Sequence, residues 1–315
     1  MKKKYDMTRR EGNTMEELVS IIVISYNAQN TIIETLDSVY KQKYINLELI
    51  IADDCSKDNT KQLAEEWIKQ NSGRFQNIKT IFSKINQGVT LNIINGIQEA
   101  TGKWIKCIAA DDILLENCIQ DNVSFAQKNN AQIVFSNMQY FSNRGLLNSN
   151  SDELRKQLQK FCQKTIEQQK GQLIKENVLP APSAFFSIDL YNKVEGFDQE
   201  IKMMEDWPFW IRISQNGIKI YYMDKFTVKY RVSETSVSHS HSFYQVQQQV
   251  KRKYCYPNIP KYCVWYYYHE KVFKMKCRLQ NNLIVSSKKY KILEIIYAIL
   301  WPIQLLKILK WKLGK

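Results

Sequence analysis

Residues 18–25 read LVSIIVIS, eight positions without a charge and rich in Val and Ile. A run this continuously apolar does not alternate, so it must be covered on both faces, the condition of a strand inside a parallel sheet. Glu48 to Ala52 and Trp104 to Ala110 repeat the pattern, and each stops at an acidic pair, Asp53-Asp54 and Asp111-Asp112. Helical spacing intervenes. Ile32, Ile33, Leu36 and Val39 recur along one face between Asn30 and Tyr40, with Asn30 placed to cap that helix, and a second helix is predicted from Thr60 to Lys69. Strand, helix, strand, helix is the rhythm of a doubly wound, mostly parallel α/β sheet flanked by helices. Both acidic pairs then fall at the carboxyl edge, where open sheets of this kind bind ligands.

Further strands are predicted at 78–82, 133–136 and 183–188, with a turn at Asn86-Gln87-Gly88 and a helix from Thr90 to Ala100 that Gly102 ends. Residues 143–178 are polar and Gln- and Lys-rich, and read as an inserted helical segment. A helix over 207–214 follows a third acidic pair, Glu205-Asp206, which fixes a carboxylate at a helix N-terminus.

The net charge of +14 is unevenly spread: residues 251–315 hold 15 Lys and Arg against Glu270 and Glu294, a net of +13. The remaining chain is nearly neutral, so the basic tail points to an anionic membrane surface rather than to nucleic acid. Tyr254, Tyr256, Tyr262, Trp265, Tyr266, Tyr267 and Tyr268 lie among its lysines, as at a membrane–water interface. The apolar run Ile295 to Ile303 is well short of the roughly 20 residues that cross a bilayer, which leaves an in-plane anchor or a packed terminal helix. Seven cysteines without C-x-x-C spacing indicate neither a disulfide framework nor a thiolate zinc site. Residues 1–17 contain no apolar signal region, so the expected location is cytoplasmic, peripheral on the inner face of the membrane.

Asp111-Asp112 at a strand end suits Mg²⁺ or Mn²⁺, which need one or two carboxylates when phosphate oxygens and water complete the shell. Glu205-Asp206 suits a general base. The same pairs also serve as ordinary turns and helix caps.

Val19 to Asn27 (VSIIVISYN), Asp53 to Thr60 (DDCSKDNT), Asn86-Gln87-Gly88, Ala109 to Asp112 (AADD), and Glu205-Asp206-Trp207 with Trp210-Ile211-Arg212 occur in an order that resembles the inverting, family 2-type glycosyltransferases of GT-A fold. The likeness covers about two-thirds of the chain, residues 18 to about 236. It implies transfer from a UDP- or dTDP-sugar to a glycan or polyprenyl-linked acceptor, as in capsule or O-antigen assembly. It assigns Asp112 as the metal ligand and Asp111 to the donor ribose or sugar. Asp54 would accept from the imide N–H of a uracil-like base framed by Ser25, Tyr26 and Asn27, with Asp53 beside it. Asp206 would be the general base and Glu205 would face the acceptor.

Many relatives carry a His two positions after the Tyr-Arg pair, whereas Ser233 follows Tyr230-Arg231 here. Arg231 alone, or His239 or His241, would then meet the diphosphate. The implied organisation is a polar segment 1–17, a nucleotide-sugar half 18–118, an acceptor and catalytic half 119–236, and a basic aromatic region 237–315. Two other readings share these features: a non-catalytic nucleotide-sugar-binding protein of the membrane surface, and a sugar-phosphate nucleotidyltransferase. The second normally has a Gly-rich basic loop early in the chain, and Ser25 to Thr31 has neither Gly nor Lys. No G-x-G-x-x-G turn is present, which disfavours a nicotinamide-binding domain.

Overall fold

Strand β1 (Val19–Ser25) is buried except at Ile24, and β2 (Leu47–Asp53) is buried throughout. These two pair in parallel with each other, and β3 (Asn77–Phe82) and β4 (Trp104–Ala109) extend the parallel sheet on either side. Helices α1 (Ile32–Tyr40), α2 (Thr60–Asn71) and α3 (Val89–Gln98) make the crossovers. Parallel strands need such long connections, and their helices supply the cover that the apolar strands require. The computed structural model describes residues 16–142, 145–232, 241–258 and 292, and divides the chain into two units, Met1–Pro257 and Asn258–Lys315.

The second half of the first unit adds β5 (Ile113–Leu114), α4 (Cys118–Asn129), β6 (Ile133–Ser142), β7 (Gly145–Leu146), α5 (Asn148–Cys162) and α6 (Ile166–Leu173). It continues with β8 (Phe185–Ser187), α7 (Ile188–Lys193), α8 (Asp206–Gln215), β9 (Tyr221–Arg231) and α9 (His241–Val250). Among the described residues the strand order is β3-β2-β1-β4-β8-β6-β9-β5, with β7 hairpinned onto β6. Strand β8 joins the two halves by pairing antiparallel with both β4 and β6. Helix α8 is held by an aromatic cluster in which Phe209 meets Phe197 at 4.9 Å and Trp210 meets Phe135 edge-on at 4.9 Å.

Two expectations are corrected. Asn30 does not cap α1: Thr31 holds the cap position without a side-chain bond, and the Ala28 carbonyl instead accepts from the N–H groups of Thr31 and Ile32. Helix α8 begins at Asp206 with Glu205 in the cap position, one residue before the predicted start. The helical reading of 143–178 holds among the described residues: it contains two helices, α5 packing Leu154, Leu158 and Phe161 at helical spacing and α6 opening on a capping box of Thr165 and Gln168.

Candidate active site

The carboxyl ends of β1 and β2 meet in register, Ser25 opposite Asp53. Asp53 is buried and fully engaged: Oδ1 accepts from the Ser56 N–H at 2.8 Å, and Oδ2 from the hydroxyls of Ser25 at 2.7 Å and Ser56 at 2.5 Å. It ties the loop after β2 to β1. Asn27 adopts the left-handed conformation (φ 51°), and its Oδ1 accepts from the Lys57 N–H at 2.8 Å. Asn tolerates that conformation better than most residues. Tyr26 beside it is half exposed.

Asp54 is buried, and each of its oxygens accepts a backbone N–H at 2.8 Å, from Gln87 and from Gly88. The second loop is thereby fastened to the turn that opens α3. Gly88 has φ 88°, a conformation that few side chains adopt.

Asp111 and Asp112 follow β4 directly. Asp112 is buried, with Oδ1 accepting the Arg231 N–H at 2.9 Å and Oδ2 having no hydrogen-bond partner among the described residues. Burial, with the neighbouring Asp111 carboxylate adding to it, pushes the Asp112 carboxyl up to about 8. An orphaned buried carboxylate oxygen is costly unless a cation arrives to share it. Asp111 is also raised by burial, with the Arg231 charge opposing. No group of three or more His, Cys, Asp or Glu among the described residues forms a cage for a metal. A cation that brings phosphate oxygens with it needs no such cage, so the residues present fit Mg²⁺ or Mn²⁺ with Asp112 as the protein ligand.

Arg231, at the end of β9, was expected to face the diphosphate. Its Nε donates to the Asp111 carbonyl at 2.9 Å, its Nη2 pairs with Glu34 on α1, and its guanidinium lies 4.4 Å from the Phe141 ring centre. Much of its donor capacity therefore goes to holding β9 against the acidic pair. Ser233 and His239 lie outside the described residues, and His241 starts α9.

Glu205 and Asp206 are partly exposed at the start of α8. Glu205, in the cap position, makes no side-chain capping bond, and the Asp206 carboxylate lies beside the first backbone N–H groups of the helix. Burial raises both carboxyls, and their mutual repulsion adds to it for Glu205. Asn177 Nδ2 donates to Asp206 Oδ2 at 2.8 Å. The loop before the pair is fastened to α3, because the Thr90 hydroxyl donates to the Ile201 carbonyl at 2.5 Å. Asn177 and Glu34 had no sequence signal, since neither belongs to a motif or an apolar period.

With this geometry in view, the glycosyl transferase family 2 model matches residues 20–192. The chain belongs to glycosyl transferase family 2. It is 28% identical over 236 residues to UDP-Glc:alpha-D-GlcNAc-diphosphoundecaprenol beta-1,3-glucosyltransferase WfgD of Escherichia coli, covering 74% of this chain and 83% of that one. Solved folds agree. S. aureus TarS 1-349 in complex with UDP-GlcNAc superposes with a TM-score of 0.56 at 21% identity. The mannosyltransferase PcManGT from Pyrobaculum calidifontis, in complex with GDP-Man and Mn²⁺, superposes with 0.57 at 17%. They match 74% and 75% of this chain, which spans 65% and 62% of theirs. The α/β glycosyltransferase fold expected from the sequence is therefore present, and the protein is a glycosyltransferase.

Proposed function

We propose that this family 2 enzyme moves a sugar from a UDP- or dTDP-sugar to a hydroxyl of a glycan or polyprenyl-linked acceptor, inverting the anomeric configuration. The observation that supports it most is Asp112 Oδ2, a buried carboxylate oxygen without a protein partner at the carboxyl edge of the sheet. A divalent cation held there supplies charge neutralisation for the departing nucleotide diphosphate. Ser25, Tyr26, Asn27 and Asp54 line the base and ribose side, with Asp53 bracing their loop, and Asp111 and Arg231 flank the diphosphate side.

Asp206 takes the proton of the acceptor hydroxyl as that oxygen bonds to the anomeric carbon. The anomeric bond to the diphosphate breaks in the same step and its electron pair leaves with the diphosphate, so no covalent glycosyl-enzyme forms. Glu205 faces the acceptor. A diphosphoundecaprenol-linked acceptor in the name of the Escherichia coli relative supports a lipid-linked acceptor here. The basic segment 251–315 would hold the enzyme to an anionic membrane on the cytoplasmic face; most of it lies outside the described residues, and its support is the sequence. Among the described residues no helix is long and apolar enough to cross a membrane.

The test is nucleotide release from a panel of UDP-, dTDP- and GDP-sugars with Mn²⁺, using wild type, Asp112→Asn and Asp206→Asn. Turnover of one donor that disappears in both variants supports the reading, and NMR of the product anomer checks inversion. Wild-type turnover in either variant would overturn it. Flotation with anionic liposomes at low salt tests the tail, and unchanged binding after truncation at Lys289 would remove the anchor.

A further inference from the structure

The segment between α6 and β8 belongs to none of the motifs, yet it meets the catalytic end of α8 at several points. Trp207, the second residue of α8, donates its indole N–H to the Leu173 carbonyl at the end of α6, 2.7 Å away in the buried interior. Lys106, fully buried on β4 five residues before Asp111, donates its Nζ to the carbonyls of Pro182 at 2.5 Å and Ala184 at 3.2 Å. Residues 173–184 are therefore pinned at both ends, to the helix that presents Asp206 and to the strand that presents Asp111-Asp112.

Asn177 projects from the middle of this span. Its Oδ1 accepts the Leu179 N–H at 3.3 Å, so its amide orientation is set by the backbone, and the Nδ2 group is the one facing Asp206 Oδ2 at 2.8 Å. A pinned segment and an oriented amide fix the Oδ2 side of the Asp206 carboxylate.

We propose that Asn177 is a positioning residue for the transfer: it holds Oδ2 of Asp206 so that Oδ1 is presented to the acceptor hydroxyl. This rests on the reading of Asp206 as general base. Asn177 touches neither reacting atom and acts through Asp206.

The groups that face the carboxylate set the direction of a pH effect. Burial raises its affinity for a proton, whereas the Asn177 amide, the backbone N–H of Trp207 and the Trp210 indole lower it; Glu205 on the same helix, itself raised by burial and by the Asp206 charge, faces the Thr90 hydroxyl of α3 and the Cys107 thiol of β4. Asn177 stabilises the ionised form, so its removal raises the base's pKa and moves the acidic limb of the rate profile to higher pH. A purely structural role would lower the rate at all pH values and leave the limb in place.

The measurement is kcat and kcat/KM against pH for the full chain, on whichever donor of a UDP-, dTDP- and GDP-sugar panel turns over fastest with Mn²⁺. Asn177→Ala should lower kcat roughly tenfold and shift the acidic limb up by about one pH unit, with donor KM unchanged. Asn177→Asp places a third carboxylate beside the pair and should shift the limb further, with activity recovering in alkaline buffer. In the Asp206→Asn background, Asn177→Ala should cost nothing more.

Asn177 is exposed, so both variants are expected to fold, and melting curves verify it. An unshifted limb in both Asn177 variants, or additive losses in the double variant measured on the residual rate, overturns the proposal while Asp206→Asn remains strongly impaired. Full activity of Asp206→Asn instead overturns the base assignment itself, which separates the two failures.

Discussion

The backbone N–H of Arg231 holds Oδ1 of Asp112 at 2.9 Å and leaves Oδ2 of the same carboxylate buried without a partner. One oxygen is thus fixed by the chain, and the other is reserved for something the chain does not provide. The folded-state pKa, up to about 8, lies above the ordinary carboxylate value. Between those two pH values the native state binds more protons than the unfolded state, so Asp112 lowers stability as pH rises.

Asp112→Asn should therefore raise the unfolding free energy in EDTA at pH 8 by on the order of a few kcal/mol, seen as a higher melting temperature, and the gain should vanish toward pH 4. The same variant should abolish Mn²⁺-dependent nucleotide release. Mn²⁺ affinity of the wild type, measured by calorimetry, should rise with pH up to about 8, because the ligand must lose its proton to bind.

Asp206 and Glu205 should separate kinetically. Asp206→Asn is expected to reduce kcat by roughly 10²- to 10⁴-fold, the range for a lost general base, with UDP affinity unchanged by calorimetry. Glu205→Gln should act mainly on acceptor KM. A loss of UDP binding in Asp206→Asn would show that the variant disturbs the site rather than the proton transfer.

Asp54→Asn turns one of two acceptors into a donor that faces a backbone N–H, of Gln87 or Gly88. Leaving a buried N–H unpaired costs about 1–3 kcal/mol. The variant should melt earlier and bind UDP more weakly, and excess Mn²⁺ should not restore the affinity.

Gly96 faces β1 from α3, where a Cβ would lie 2.5 Å from Ile22 Cγ2 and 3.6 Å from Ala52 Cβ. Gly96→Ala should destabilise the protein by about 1–3 kcal/mol, the usual cost of overpacking, read from chemical denaturation. Because α3 also carries Thr90, donor KM should rise as the helix is pushed outward.

The first half of the fold was legible because β1, β2 and β4 are buried on both faces, and that burial dictates their composition directly. Their acidic pairs could be placed at the carboxyl edge for the same reason. Strand β9 was not foreseen: in YYMDKFTVKYR the charged Asp224 and Lys225 interrupt the period, and the strand forms because β6 pairs with it in parallel across a bulged register. Its end residue, Arg231, was known as a motif residue, but its attachment to Asp112 depends on that long-range pairing. Helix α5 was readable in principle from Leu154, Leu158 and Phe161, although polar residues around them dilute the signal. Asn177 carries no local pattern, because its value lies wholly in what a distant segment brings beside it.

The bond between Arg231 and Asp112 joins positions 119 apart. On the ribosome, β1 to β4 can emerge and find one another while β9 is still unmade. The edge that carries Asp111 and Asp112 then exists for a time unlocked, and the lock closes only when the last strand of the described sheet is released. The acidic pair can therefore be tied down only after every other strand of the described sheet has been made.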